Sequence, residues 1–495
     1  MLDEYRLQLV DFCTTWMREN YLYLAGHKAA LEVSRIYEEH ADLFSLDSIA
    51  RLRSDLSNVP QHLEVERAAV SRLLLFGCEQ FLEYTAKDLT EQISEREARL
   101  TLDFSGRPMT FQEASAALRT QKDRDARRAI YRSRAKAIES SNDLRAERLS
   151  MLRSAARMLG YDTYLSAQSQ LRQFDYASLA QDADALLSQT EDIFVSNLDR
   201  ALRRSLDLRL DQVERADAFY FLHLTMFDDH FPAGGLLASY EQTLSGLGID
   251  VKRQENISFD TETRPQKTPR AFCMPIVVPD EIKMVIRPMG GQSDYQTLLH
   301  EGGHAQHYAW TSGDLRPEFK YTGDYGLTES YAFLFNHLIS NRAWLESVIG
   351  FEDSSDFIRQ VMLTRLFQAR RYVAKLQYEL ELHSGIDLEL AGRRYADLQT
   401  AATKFETEST EFLFDIDDGF YSANYVRAWA FEVILREYLM TNFGRNWWTS
   451  RRAGDLLKEL WETGDRYTAD QMAEQLGIAP IGFEPLIQEL NQCLE

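Results

Sequence analysis

Cysteine, proline and long apolar runs are all scarce in this 495-residue chain, and each scarcity excludes something. The four cysteines, Cys13, Cys78, Cys273 and Cys493, are widely scattered, with no paired spacing. That removes a disulfide scaffold and a cysteine-based zinc module, and fits reduced thiols. No stretch of 18 or more apolar residues occurs, and Met1-Leu2-Asp3-Glu4-Tyr5-Arg6 has neither the basic start nor the apolar core of a signal peptide. The expectation is a soluble, cytoplasmic protein. Basic residues number 55 against 77 acidic, a net charge of −22. The resulting field repels phosphate, so neither nucleic acid nor a membrane surface is an expected partner. One basic stretch, with Arg127, Arg128, Arg132 and Arg134, is mixed with Asp123, Asp125 and Glu139 and reads as a solvated helix face.

Helical pattern is what the chain has in plenty. Leu and Ala recur three and four apart over about 2–100, 110–248 and 354 to the end, and only eleven prolines interrupt 495 residues. A mainly α fold follows, with an N-terminal helical region over 1–250 and a catalytic helical region over 251–495, joined as one continuous fold. The polar stretch 250–270, with Pro265 and Pro269, reads as a hinge or surface loop. Beyond it, Phe272 to Val278 and Ile282 to Arg287 are β-like runs around the turn Pro279-Asp280-Glu281. They predict a small hairpin that either offers its edge to an extended peptide or simply packs on helices.

The densest chemical signal is His300-Glu301-Gly302-Gly303-His304. Residues four apart on a helix lie one above the other, so both imidazoles can face one metal ion, and Glu301 lies near enough to reach a water on it. Ser293 with Gln296 predicts a capping-box start, and Gly313 a stop. Two adjacent glycines inside a helix cost about 1 kcal/mol each against alanine, and the close approach of another backbone or of a substrate would explain them. A catalytic zinc takes three protein ligands and keeps one position open. His307 on the same helix and Glu329 on the next are the candidates for the third. Three ligands from one helix would crowd the ion, which favours Glu329 and leaves His307 packed beneath the site. Glu329 is expected in the first turn of an amphipathic helix whose core positions are Tyr331, Leu334, Phe335, Leu338 and Ile339. Farther on, Tyr421 and Tyr425 are four apart, as either oxyanion donors or an aromatic core stripe.

Together these residues resemble the thimet oligopeptidase and oligopeptidase F group of zinc metallopeptidases. The stretch Thr297-Leu298-Leu299-His300-Glu301-Gly302-Gly303-His304-Ala305-Gln306-His307 is similar to that family's core, and Glu329 stands where its third ligand is expected. The resemblance implies one Zn2+ held by His300, His304 and Glu329, with Glu301 as general base. It also implies a two-lobed helical body with a deep cleft that hydrolyses short peptides, in which Ala271, Phe272 and Cys273 form the edge strand that pairs with substrate. Tyr421 and Tyr425 would belong to the substrate-binding loop. The family's loop carries a histidine before its tyrosines; here Asp417 and Asp418 stand in that neighbourhood, and Arg427 follows the tyrosines. Arg427 either anchors a C-terminal carboxylate or forms an ion pair with Asp417 or Asp418, and the two aspartates could hold an N-terminal amine; such terminal anchors would make the protein a carboxypeptidase or dipeptidyl peptidase of the same helical zinc fold. Glu301-x-x-His304 also matches a di-iron ligand pair, but no second Glu-x-x-His exists to complete it. A non-catalytic peptide-binding scaffold would not need the three ligands and Glu301 together.

Overall fold

A computed structural model describes residues 2–104, 107–264, 266–478 and 480–495. It is mainly α-helical, as the periodicity predicts, with five short strands among the described residues. The chain forms two contact units, and both are interleaved along the sequence rather than divided at residue 250. The first takes Met1–Tyr84, Phe227–Ser354 and Arg427–Ile481; the second takes Thr85–Met226, Ser355–Val426 and Gly482–Glu495.

In the first unit, strands β3 (Ile257–Asp260), β4 (Phe272–Val277) and β5 (Glu281–Val285) form a sheet in the order β3-β5-β4. The predicted hairpin is the antiparallel β4/β5 pair, with Cys273 opposite Met284. Strand β3, which runs parallel to β5, lies within the stretch read from the sequence as a loop. That stretch is pinned down. The buried Lys267 ammonium donates to Asp260 O at 2.7 Å, Glu262 O at 2.9 Å and Ile286 O at 3.1 Å, and pairs with Asp260 Oδ1 at 3.1 Å. Lys267 alone of the stretch's polar residues is buried; Lys252, Arg253, Glu255, Glu262 and Arg270 are exposed, as a surface segment predicts. Pro265 lies outside the described residues. Strand β4 is an edge. Its Cys273 N–H points away from β5, so by alternation Pro275, which has no N–H to give, also faces outward, where a ladder loses nothing.

The motif helix, Gln292–Trp310, packs on β4 and β5, on the helix Leu236–Gly246 and on the helix Tyr325–Asn336. It starts without the predicted capping box. Asp228 Oδ1 instead accepts from Gln292 N at 3.1 Å, and Asp294 Oδ2 accepts from Met289 N and Gly290 N at 2.6 and 2.8 Å. It also stops at Trp310, before Gly313.

The paired glycines answer to close packing. A Cβ on Gly303 would lie 2.7 Å from Ala332 Cα and 2.8 Å from Tyr331 O, and one on Gly302 would lie 2.2 Å from Tyr240 Cε2. Only glycine lets the helix bearing Glu329 come this close. Gly303→Ala therefore loses stability although alanine is worth about 1 kcal/mol in a helix, because backbone cannot yield as a side chain does and overpacking costs about 1–3 kcal/mol. Urea unfolding measures the sign, and a more stable variant would contradict the packing account.

The Glu329 helix, Tyr325–Asn336, is buried nearly all round rather than amphipathic: besides the predicted Tyr331, Leu334 and Phe335, it buries Gly326, Leu327, Thr328, Ser330 and Ala332, while Leu338 and Ile339, also buried, lie in the 3-10 turn that follows. It begins at Tyr325 behind the N-cap Asp324, which places Glu329 in the second turn, one turn deeper than the sequence suggested.

In the second unit, β1 (Thr101–Phe104) and β2 (Arg107–Thr110) pair antiparallel in the one gap between helical stretches. The basic stretch is a solvated face only in part, at the exposed Arg132. It lies on the helix Arg124–Glu139, where Arg124 and Arg127 both reach Asp217 at 2.8 Å, Arg128 pairs with Glu214, and Arg134 meets Glu411 at 2.5 Å. These arginines tie the unit together internally. No helix among the described residues is long and apolar enough to cross a membrane.

Candidate active site

His300 and His304 stand one turn apart on the motif helix and face Glu329 across the helix contact that Gly303 permits. Glu329 Oε2 is 3.4 Å from His300 Nε2 and 3.6 Å from His304 Nε2, and one donor atom from each of the three residues lies within 4.8 Å of the others. The two imidazoles remain partly exposed, while Glu329 is 3% exposed. Burial alone would push the Glu329 carboxyl pKa up. The charge and hydrogen bonds of His304 and His300 overcome this and hold it well below the ordinary carboxylate range. His304 responds in kind: burial pulls its pKa down, and Glu329 raises it above the usual histidine value.

Glu301 lies beside this group. Its Oε2 accepts a hydrogen bond from Cys273 N on β4 at 2.9 Å, so a carboxylate next to the histidines is anchored on the sheet edge. Burial raises its pKa, partly offset by His300 and His304.

His307 does not join the three donors. It is fully buried, with Nδ1 at 3.1 Å from Thr328 Oγ1 and Nε2 at 3.3 Å from Gly464 O. The same Thr328 hydroxyl is 3.0 Å from His304 Nδ1. Burial lowers the His307 pKa to about 4. Thr328 was not singled out from sequence; its only signal is its place immediately before Glu329.

Arg427 is ion-paired, with Asp324 and Asp470 as partners. It is 6% exposed, and its guanidinium donates to Asp324 Oδ1 at 2.9 Å and Asp470 Oδ2 at 2.6 Å, so it is committed to the fold rather than offered to a substrate carboxylate. Asp324 in turn accepts from Gly326 N and Ala469 N, which caps the Glu329 helix. Arg427→Ala should cost about 3–5 kcal/mol of stability, because it strands a buried aspartate. Denaturant unfolding reads this, and a change confined to KM would restore the substrate role.

Tyr421 and Tyr425 fall in the second unit, at the start of the helix Tyr421–Phe443. Their rings meet at 5.2 Å, and Tyr425 also meets Tyr372 at 4.9 Å. Of the preceding aspartates, Asp417 pairs with Lys375 at 2.8 Å, and Asp418 is held by both nitrogens of Arg148 at 3.0 and 2.8 Å. Neither is held ready for a substrate amine. Asp417 N also donates to the buried Glu379 at 2.7 Å. The segment before the tyrosines is thus fixed by ion pairs.

Among solved structures the chain resembles a protein assigned as an oligoendopeptidase F from Bacillus anthracis strain Ames, with a TM-score of 0.66 and 14% identity over 95% of this chain and 86% of that one. It also resembles PZ peptidase A with an inhibitor, with a TM-score of 0.69 and 12% identity over 93% and 87%. No family model and no curated protein matches the sequence. At these identities the likeness is one of fold: the chain has the mainly α fold of these two peptidases over nearly its whole length.

Proposed function

We propose that this protein is a zinc-dependent endopeptidase of the oligopeptidase type, acting on short peptides. The observation that carries the reading is the convergence of His300, His304 and Glu329, with Glu301 beside them on the same helix as the histidines and bonded to the edge strand. The donor set fits the ion. Two imidazoles and one carboxylate are a known catalytic zinc set, and bonds of about 2.0–2.1 Å in a tetrahedron put ligand atoms roughly 3.3 Å apart. The His–Glu separations of 3.4 and 3.6 Å lie near that value. Bound there, zinc would supply a Lewis acid that acidifies water and polarises a carbonyl.

The chain's own groups divide the rest of the work. The outward edge at Ala271, Phe272 and Cys273, where the Cys273 N–H is already held by Glu301, offers its remaining main-chain groups to an extended peptide. Glu301 takes a proton from the attacking water and passes it to the leaving amine. Its bond to Cys273 N fixes that carboxylate relative to the strand that receives the substrate. Tyr425 or Tyr421 donates to the developing oxyanion. With Arg427, Asp417 and Asp418 all ion-paired, the charged groups available to recognise a chain terminus are engaged elsewhere, which favours internal cleavage.

Tyr425→Phe tests the phenol. Its kcat should fall about 100- to 1,000-fold with KM nearly unchanged, because such a donor acts in the transition state. Unaltered kcat in both Tyr425→Phe and Tyr421→Phe would remove the tyrosines from the chemistry.

A further inference from the structure

The hydrogen bonds behind His304 form a chain whose polarity is fixed at its far end. Gly464 O is a carbonyl and can only accept, so the His307 nitrogen facing it, Nε2, must carry a proton. His307 is completely buried, and its two ring partners are a carbonyl and a hydroxyl, with no carboxylate to support a second proton. A neutral ring protonated at Nε2 presents a lone pair at Nδ1. The Thr328 hydroxyl, 3.1 Å away, must then donate its single proton to His307.

With that proton spent, Thr328 Oγ1 can only accept from His304 Nδ1 at 3.0 Å.

We infer that Thr328 and His307 are positioning residues that hold His304 in the Nδ1–H tautomer, leaving the Nε2 lone pair directed at Glu329 and the metal position. The inference rests on the metal-site reading above and extends it to residues outside the three-donor group. The opposite polarity would put a proton on His304 Nε2, the atom 3.6 Å from Glu329, and block it as a ligand. Groups that orient a ligating histidine through its other nitrogen typically alter metal affinity about 10- to 100-fold.

Two experiments on the full-length protein decide this. Histidine-selective 15N NMR of the wild type at neutral pH should show His307 as a neutral ring protonated at Nε2; a neutral ring protonated at Nδ1 overturns the relay without any mutation. Zinc titration should then show Thr328→Val binding about 10- to 100-fold more weakly than wild type, while Thr328→Ser, which keeps the hydroxyl, stays within a few-fold of wild type. Equal affinity in wild type and Thr328→Val overturns the relay alone. Failure of the wild type itself to bind zinc overturns the metal reading and the relay's role with it.

Discussion

Glu301→Gln retains bound zinc and loses peptide hydrolysis by at least about 100-fold, the lower range for removing a general base. The amide keeps the size of the side chain and can still accept the Cys273 N–H through its carbonyl oxygen, so the strand edge and the two histidines stay in place. What disappears is the capacity to take up a proton. Steady-state hydrolysis of a quenched fluorescent peptide, with zinc measured on the same sample, separates the two effects. Activity within a few-fold of wild type would mean that the base lies elsewhere, and loss of zinc would mean that Glu301 is part of the metal's own shell.

The second large effect is on the metal. His304→Ala should purify with little or no zinc where the wild type carries close to one ion per chain, since it removes one of only three protein donors. Glu329→Ala should be comparably severe. His307→Ala should be milder, because His307 reaches the site only through Thr328. Elemental analysis of gently purified protein gives the order, and a His307 variant poorer in zinc than the Glu329 variant would make His307 the third ligand.

How far the sequence reached can be judged residue by residue. The His300–His304 spacing, the separate origin of the third donor and the glycine pair were legible because helix geometry is local: residues four apart share a face whatever surrounds them. Strand β3 was not legible, since four residues in a polar surface stretch carry no strand signal, and that Lys267 turns inward to pair with Asp260 is not visible in its charge. The basic stretch misled for the same reason. Its arginines find Asp217 and Glu411 through tertiary packing that no periodicity reports. Arg427 followed suit, its partners Asp324 and Asp470 lying 103 and 43 positions away. Thr328 was invisible for a subtler reason. A hydroxyl matters here only because two imidazoles from another helix converge on it. Charge and hydroxyl pattern in a sequence say little about partners; apolar and ligand spacing on one helix says much.

The central claim is metal-dependent cleavage within short peptides. The most direct measurement is mass-spectrometric profiling of a mixed peptide library incubated with the protein, with and without a chelator, followed by zinc add-back. The account predicts internal cleavage products that vanish with the chelator and return with zinc. Cleavage that persists undiminished after the metal is stripped, or no cleavage by fully zinc-loaded protein, would contradict it.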